Sequence, residues 1–326
     1  MRAWRVDEWC RPGDMRLEVL PEPEPGPQEV VVRVRHAALN FFDTLMIGGR
    51  YQVKPPLPFT PGSEIAGEVV ATGPGSTFHI GDRVCGQPRW GAFAEKCILP
   101  DHLANPVPDD VGLDMAAAVP VVYPTAHVAL GRRGQLAPGD RVLVTAAAGG
   151  VGLATIQMAK AWGGRPIALA GSEEKRRICL EQGAEAAFDY RSPDWVDQVR
   201  EATGGAGVDL IVDPVGGETF DLALKVIAFE GRAVIIGFAG GDIQRIAANR
   251  LLLKSASAVG AIWGAYLSRD PAFAREVVAE CFALQRAGDI HPVIWGRYPL
   301  TQVPDALDAL DSRQTYGKVL IDVAPE

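Results

Sequence analysis

Cysteine is scarce and scattered. The five thiols, Cys10, Cys85, Cys97, Cys179 and Cys281, are odd in number, far apart and nowhere arranged as C-x-x-C. That spacing speaks against a disulfide framework and a four-cysteine zinc lobe, and it fits free thiols in a reducing compartment. His36, His79, His102, His127 and His291 show no ligand spacing. A run of about 18 apolar residues is missing, so no transmembrane helix is expected. The opening MRAWRVDEWC lacks the apolar stretch of a signal peptide, and a cytoplasmic protein is expected. Positive charge is also short. With 32 Lys and Arg against 40 Asp and Glu, the net charge of -8 argues against a nucleic-acid-binding face. There are no internal repeats and no low-complexity tracts.

What is present suits two domains. A chain of 326 residues, 48% hydrophobic and 22% charged, has material for more than one core. The N-terminal third is punctuated by Gly and Pro. EVVVRVRHAAL (29–39), EIAGEVVATG (64–73), GDRVCGQ (81–87) and GAFAEKCIL (91–99) read as short strands of a compact β-rich, barrel-like domain. YQVKPPLPFTPG (51–62) reads as a loop. The middle alternates: strand RVLVTA (141–146), helix from about 151 to 163, strand RPIALAG (165–171), helix EEKRRICLEQG (173–183), strand VDLIVDPVG (208–216), helix near 219–228 and strand GRAVIIGF (231–238). Strand–helix alternation at this spacing means βαβ units around a parallel sheet with helices on both faces, an α/β domain. Near the end, PAFAREVVAECFALQRAG (271–288) reads as a helix and GKVLIDV (317–323) as a strand rejoining the first domain. The expected division is 1–122 plus 265–326 for the first domain and 123–264 for the second.

Ala146-Ala147-Ala148-Gly149-Gly150-Val151-Gly152 follows a strand and opens a helix. That context turns a glycine-rich run into a dinucleotide-binding candidate, because helix N-terminal N–H groups can then meet a pyrophosphate. Gly152 is expected to allow close helix–sheet packing. The competing reading is a turn kept for packing alone. The next strand ends Ala168-Leu169-Ala170-Gly171-Ser172, without the carboxylate that usually bonds a ribose 2′-OH. A 2′-phosphate could enter there, with Ser172 as donor and Lys175 as point charge, which points to NADPH. Glu173 and Glu174 are read as facing outward; the competing reading of Lys175 is a solvated lysine.

ALNFFDTLMIGGRY (38–51), PLPFTPGSEIAGEVVATG (56–73), VPVVYPTAHVAL (119–130), AAAGGVG and ASAVGAIWGAY (256–266) together resemble the zeta-crystallin-like quinone oxidoreductases of the medium-chain dehydrogenase/reductase superfamily. The resemblance spans essentially the whole chain. It implies a GroES-like catalytic domain, a Rossmann domain and a cleft between them, with a homodimer formed by edge strands of the Rossmann sheets. Zinc-dependent relatives place cysteine where this chain has Asn40 and histidine where it has Ser63. Amide and hydroxyl groups are poor zinc ligands, and Glu64 alone cannot hold the metal. Cys85 and Cys97 read as buried structural thiols.

By the same resemblance, Asn40 and Thr125 sit by the nicotinamide, and Ser172, Lys175 and Tyr190 form the 2′-phosphate side. Ala148, Gly149, Gly150 and Val151 cradle the pyrophosphate, while Gly237, Phe238, Trp263 and Gly264 line the cofactor. Lys318, in its GKV signature, approaches the cofactor. Leu45 stands where several relatives carry a tyrosine, and Tyr51 is a nearby phenol. For Tyr51, Tyr123 and Trp263, simple packing competes. The implied chemistry is hydride transfer from NADPH to a quinone without zinc, with Asn40, Thr125 or Tyr51 stabilising developing oxyanion charge. An enone or enoyl-CoA reductase is the alternative, with Arg50, Lys54 and Arg89 as candidate anion contacts. A non-catalytic NADPH-binding protein is a second alternative.

Overall fold

In the computed structural model, which describes residues 1–323, the alternating apolar runs of the N-terminal third become strands. In chain order these are β1 (Arg2–Arg5), β2 (Arg16–Val19) and β3 (Glu29–Ala38), then helix α1 (Phe41–Ile47), β4 (Ile65–Thr72), β5 (Arg83–Gly86), β6 (Lys96–Pro100), β7 (Ala104–Pro106) and helix α2 (Leu113–Ala117). β3 is the organising strand. Its first half pairs β6, its last residues pair a later strand, and its other edge pairs β4, so only Arg33 is fully exposed. The expected strand over 91–99 is shorter at its start. β6 begins at Lys96, because Gly91 turns the chain at φ 105° and only Ala94 makes an isolated bridge, to Ala3.

The middle of the chain folds as α3 (Val122–His127), β8 (Arg141–Val144), α4 (Gly150–Ala161), β9 (Arg165–Leu169), α5 (Glu173–Glu181), β10 (Ala186–Phe188), α6 (Trp195–Ala202), β11 (Val208–Asp213), α7 (Gly217–Ala223), β12 (Ile227–Ile235), α8 (Ala248–Leu252), β13 (Ser257–Gly260) and α9 (Trp263–Arg269). The six strands form one parallel sheet in the order β10-β9-β8-β11-β12-β13. Counted within the sheet this is 3-2-1-4-5-6, the doubly wound Rossmann order, whose direction reverses between β8 and β11. The helix expected near 219–228 is corrected: α7 ends at Ala223, a 3₁₀ turn covers Leu224–Val226, and β12 starts at Ile227. Pairing with β11 (Val208↔Ile227) draws these residues into the sheet, against their local helical pattern.

After α10 (Pro271–Ala287) come β14 (Ile294–Pro299), α11 (Val303–Asp311) and β15 (Lys318–Asp322). β15 lies between β14 and β3, completing a seven-stranded sheet. The chain thus forms two compact units. One joins residues 1–121, 266–286 and the segment from 292 onward; the other joins 122–265 with 287–291. Each has its own core. Val32, Val34, Ile65, Phe93, Leu99 and Ile321 belong to the first, and Leu143, Leu169, Trp195, Ile211 and Phe220 to the second. Among the described residues no helix is long and apolar enough to cross a membrane.

Candidate functional site

At the switch point of the parallel sheet the chain leaves β8 through Ala146, held at φ 45°, and enters α4 with Gly149 as the residue before its first turn. The first bond into the helix is Leu153 N to Gly149 O, 2.9 Å, so the N–H groups of Gly150, Val151 and Gly152 lie ahead of it. A Cβ on Gly152 would stand 2.4–2.5 Å from the carbonyl oxygens of Ala147 and Ala146. The close approach that requires glycine is therefore to the turn itself rather than to the sheet. Beside it, Asp213 at the end of β11 is fully buried. It accepts from Thr145 Oγ1, just past the end of β8, and from Gly216 N at 2.7 Å, and burial pushes its pKa up. This pair ties the two strands at the point where an α/β sheet receives its ligand.

The tip of β9 carries no carboxylate. Ser172 caps α5 by accepting from Lys175 N at 3.2 Å, which leaves the hydroxyl proton able to donate outward. Lys175 is half-buried, whereas Glu173 and Glu174 are exposed. Tyr190 closes over the tip: a Cβ on Gly171 would meet its ring carbons and hydroxyl at 2.9–3.1 Å. Sequence reasoning missed Arg176 and Asp189. Arg176 Nη1 donates to Asp189 Oδ2 at 3.1 Å, and Arg191 grips the same carboxylate through Nε and Nη2 at 3.1 Å each. The two guanidinium groups outnumber the carboxylate beside the tip. These residues fit a dinucleotide carrying a 2′-phosphate: a Gly152 that no Cβ can replace, a flat phenol on Gly171, and a donor and a cation where NAD enzymes have an acid. Gly237 and Phe238 follow β12, and Phe238 is 46% exposed. Trp263 is buried at the start of α9, which leaves any exposed aromatic wall to Phe238; Gly264 has open space around it. Thr125 sits half-buried in α3.

In the other unit, burial has gathered polar side chains that the sequence scatters over nearly its whole length. Lys318, first residue of β15, is 4% exposed, and Glu64, just before β4, is 0% exposed. Lys318 Nζ donates to Leu39 O at 2.7 Å, Asn40 Oδ1 at 2.8 Å and Glu64 Oε2 at 2.7 Å. Glu64 Oε2 also accepts from Asn40 Nδ2 at 2.9 Å, and its Oε1 from Val121 N at 2.8 Å. All three ammonium donors are taken. Lys318, expected from the resemblance to approach the cofactor, directs its ammonium to Leu39, Asn40 and Glu64. The set does not suit zinc. Asn40 and Ser63 supply no anionic or imidazole ligand, an ammonium lies against Asn40 and Glu64, and among the described residues no group of three or more His, Cys, Asp or Glu side chains could hold a metal ion. Cys85 and Cys97 are buried, and burial pushes the Cys97 thiol up to about 12.

Asp43, which sequence reasoning also missed, sits in the first turn of α1. Its Oδ2 accepts from Asn40 N at 2.8 Å, and its buried Oδ1 has no hydrogen-bond partner within 3.5 Å among the described residues. The signal was the three-residue spacing from Asn40, a helix-start pattern. Burial, reinforced by the Glu64 charge, outweighs the bonds from Asn40 and Ser63 and the charge of Lys318, and raises its pKa from 3.8 to about 7. The folded chain therefore keeps a proton that the unfolded chain has lost between pH 4 and 7. Stability falls as pH rises through that window, by up to about 1.4 kcal/mol per unit. In urea titrations at pH 5 and pH 8, Asp43→Asn should gain on the unmutated protein by about 2–3 kcal/mol between the two. Parallel pH dependence of the two proteins would rule this out.

Tyr51 follows α1, its N–H on Leu45 O at 3.1 Å, and its ring stacks on Phe42 with centroids 5.4 Å apart. Burial, with a smaller effect of Asp43, pushes the phenol up. Arg50, Lys54 and Arg89 are all exposed.

A split β-rich unit with an enclosed polar cluster and a doubly wound unit with a glycine turn at its switch point define the medium-chain dehydrogenase/reductase architecture. Family models agree: an alcohol dehydrogenase GroES-like domain matches residues 26–109 and a zinc-binding dehydrogenase domain residues 150–280. Quinone oxidoreductase-like protein 2 of Rattus norvegicus is 41% identical over 94% of this chain and 88% of its own. A mycobacterial protein solved in complex with NADPH is 35% identical, covers 99% of this chain and 100% of its own, and has a TM-score of 0.92. Escherichia coli quinone oxidoreductase, also solved with NADPH, is 28% identical at the same coverages and TM-score. The chain belongs to the quinone oxidoreductase family and is an oxidoreductase of that type.

Proposed function

We propose that this protein is an NADPH-dependent quinone reductase that works without zinc. The observation that carries the cofactor assignment is the tip of β9, which ends without a carboxylate, with Ser172 capping the helix that bears Lys175 and Tyr190 packed on Gly171. Ala148 and Gly149 shape the turn that holds the pyrophosphate, with the N–H groups of Gly150 and Val151 as its donors, while Gly237, Phe238, Trp263 and Gly264 line the cofactor. NADPH supplies the hydride. The protein supplies position and hydrogen-bond donors: Asn40 and Thr125 meet the carboxamide or the acceptor oxygen, and Tyr51 adds a phenol at the end of α1. A quinone brings its own electrophile, so donors facing its oxygen suffice.

The relatives named quinone oxidoreductase support the acceptor class. The five free cysteines support a reducing cytoplasm, and the outer strand β13, with exposed Ile262 close by in sequence, supports a homodimer paired along that edge. NADPH oxidation should be rapid with 1,4-benzoquinone or 9,10-phenanthrenequinone and should survive chelators, in a protein free of stoichiometric zinc by elemental analysis. Faster turnover of an enone or enoyl-CoA would move the assignment to those substrates. Tight NADPH binding with no oxidation in the whole panel would make the protein a cofactor-binding protein only.

A further inference from the structure

Asn40 lies between a group that can only donate and a group that can only accept. The Lys318 ammonium carries no acceptor, and an ionised Glu64 carboxylate no donor. The amide of an asparagine is ordinarily ambiguous in orientation. Here charge decides it: Oδ1 faces Lys318 at 2.8 Å and Nδ2 faces Glu64 at 2.9 Å. The reversed amide would set N–H against ammonium and oxygen against carboxylate. Glu64 is itself pinned by Val121 N, so the frame around the amide is rigid. One of the two Nδ2 protons goes to Glu64. The other, among the described residues, meets only Ala38 O at 3.5 Å, the outer limit of a hydrogen bond.

We propose that Lys318 is a positioning residue that acts through Asn40, holding its amide so that one N–H is presented to a reacting oxygen and polarising that N–H as a donor. This rests on the quinone-reductase reading. A cation on the amide oxygen draws electron density from the nitrogen, and hydrogen-bond chains in a dry setting reinforce one another. Lys318 makes and breaks no bond in the reaction. Its place at the start of β15, beside β3, puts it under Leu39 and Asn40 at the point where β3 gives way to α1.

The test combines kinetics with the resonance of one amide. In asparagine-labelled ¹⁵N protein, the Asn40 side-chain signal is identified by its loss in Asn40→Ala. Removing the cation in Lys318→Met should move that signal upfield and lower kcat by about tenfold or more, with NADPH affinity nearly unchanged. Lys318→Arg should recover part of the loss. In the Asn40→Ala background, Lys318→Met should add no further loss in kcat, because its effect runs through that amide. If Lys318→Met leaves Glu64 unpaired and fails to fold, Glu64→Gln/Lys318→Met removes both charges together and is held to the same outcomes. Losses that multiply in the double variant, an unmoved amide signal, or wild-type kcat in Lys318→Met would overturn the proposal. Should the unmutated protein reduce no quinone, the activity reading fails, and the amide signal alone decides the role of Lys318.

Discussion

Asn40→Ala should reduce kcat with the best quinone on the order of 10²-fold, the cost of losing one donor at a developing oxyanion. Thr125→Ala should fall in the same direction. Both should leave the NADPH dissociation constant close to that of the unmutated enzyme, because neither belongs to the glycine turn or to the tip of β9. Asn40 carries more than its own donor. Its Oδ1 is one of three acceptors around Lys318 and its Nδ2 one of three donors to Glu64, so the alanine variant also loosens a fully buried ion pair. Steady-state kinetics beside a fluorescence titration of NADPH separates the effects. Full turnover in both variants would make these two side chains packing residues and remove the proposed donors.

The second large effect concerns cofactor choice. A charge-assisted contact to a phosphate contributes roughly 1.5–3 kcal/mol, one to two powers of ten in affinity. Lys175→Ala should therefore weaken NADPH about 10- to 100-fold while leaving NADH nearly unchanged. The unmutated enzyme should prefer NADPH, and the preference should shrink as salt screens the contact. Lys175 is anchored for this task by its backbone bond to Ser172 Oγ, and Asp189, the nearby carboxylate, is engaged by Arg176 and Arg191. Equal kcat/KM for the two cofactors, or equal losses in Lys175→Ala, would mean that this site does not read the phosphate.

The doubly wound unit was legible in the sequence because its strands are short apolar runs separated by helical periods, and its glycine turn has a fixed place in that alternation. The passage from α7 into β12 was not, since Leu222 to Ile227 read equally well as helix until β11 supplies a partner. Residues near the chain ends were harder. β14 alternates weakly, and α11 opens on Val303-Pro304, where proline reads as a break although it sits in the first helical turn. The adenosine side was readable from one missing carboxylate, yet Arg176 and Asp189 lie 13 residues apart and meet only when α5 and β10 pack on the β9 tip. The polar cluster escaped for the same reason at larger scale. Glu64 and Lys318 are 254 residues apart, and no local pattern announces that an exposed-type lysine will be enclosed.

That separation orders events during synthesis. The doubly wound unit is almost wholly contained in residues 122–265, so its sheet can close while the ribosome is still adding the C-terminal residues. The seven-stranded sheet opens with β3 and β4 but takes in β15 only after the whole doubly wound unit has been made. Until Lys318 emerges, Glu64 and Asn40 face each other without their cation, and a carboxylate destined for full burial has no partner. The doubly wound unit can therefore be complete while the split unit still lacks its polar cluster. The lysine that completes the polar cluster arrives with β15.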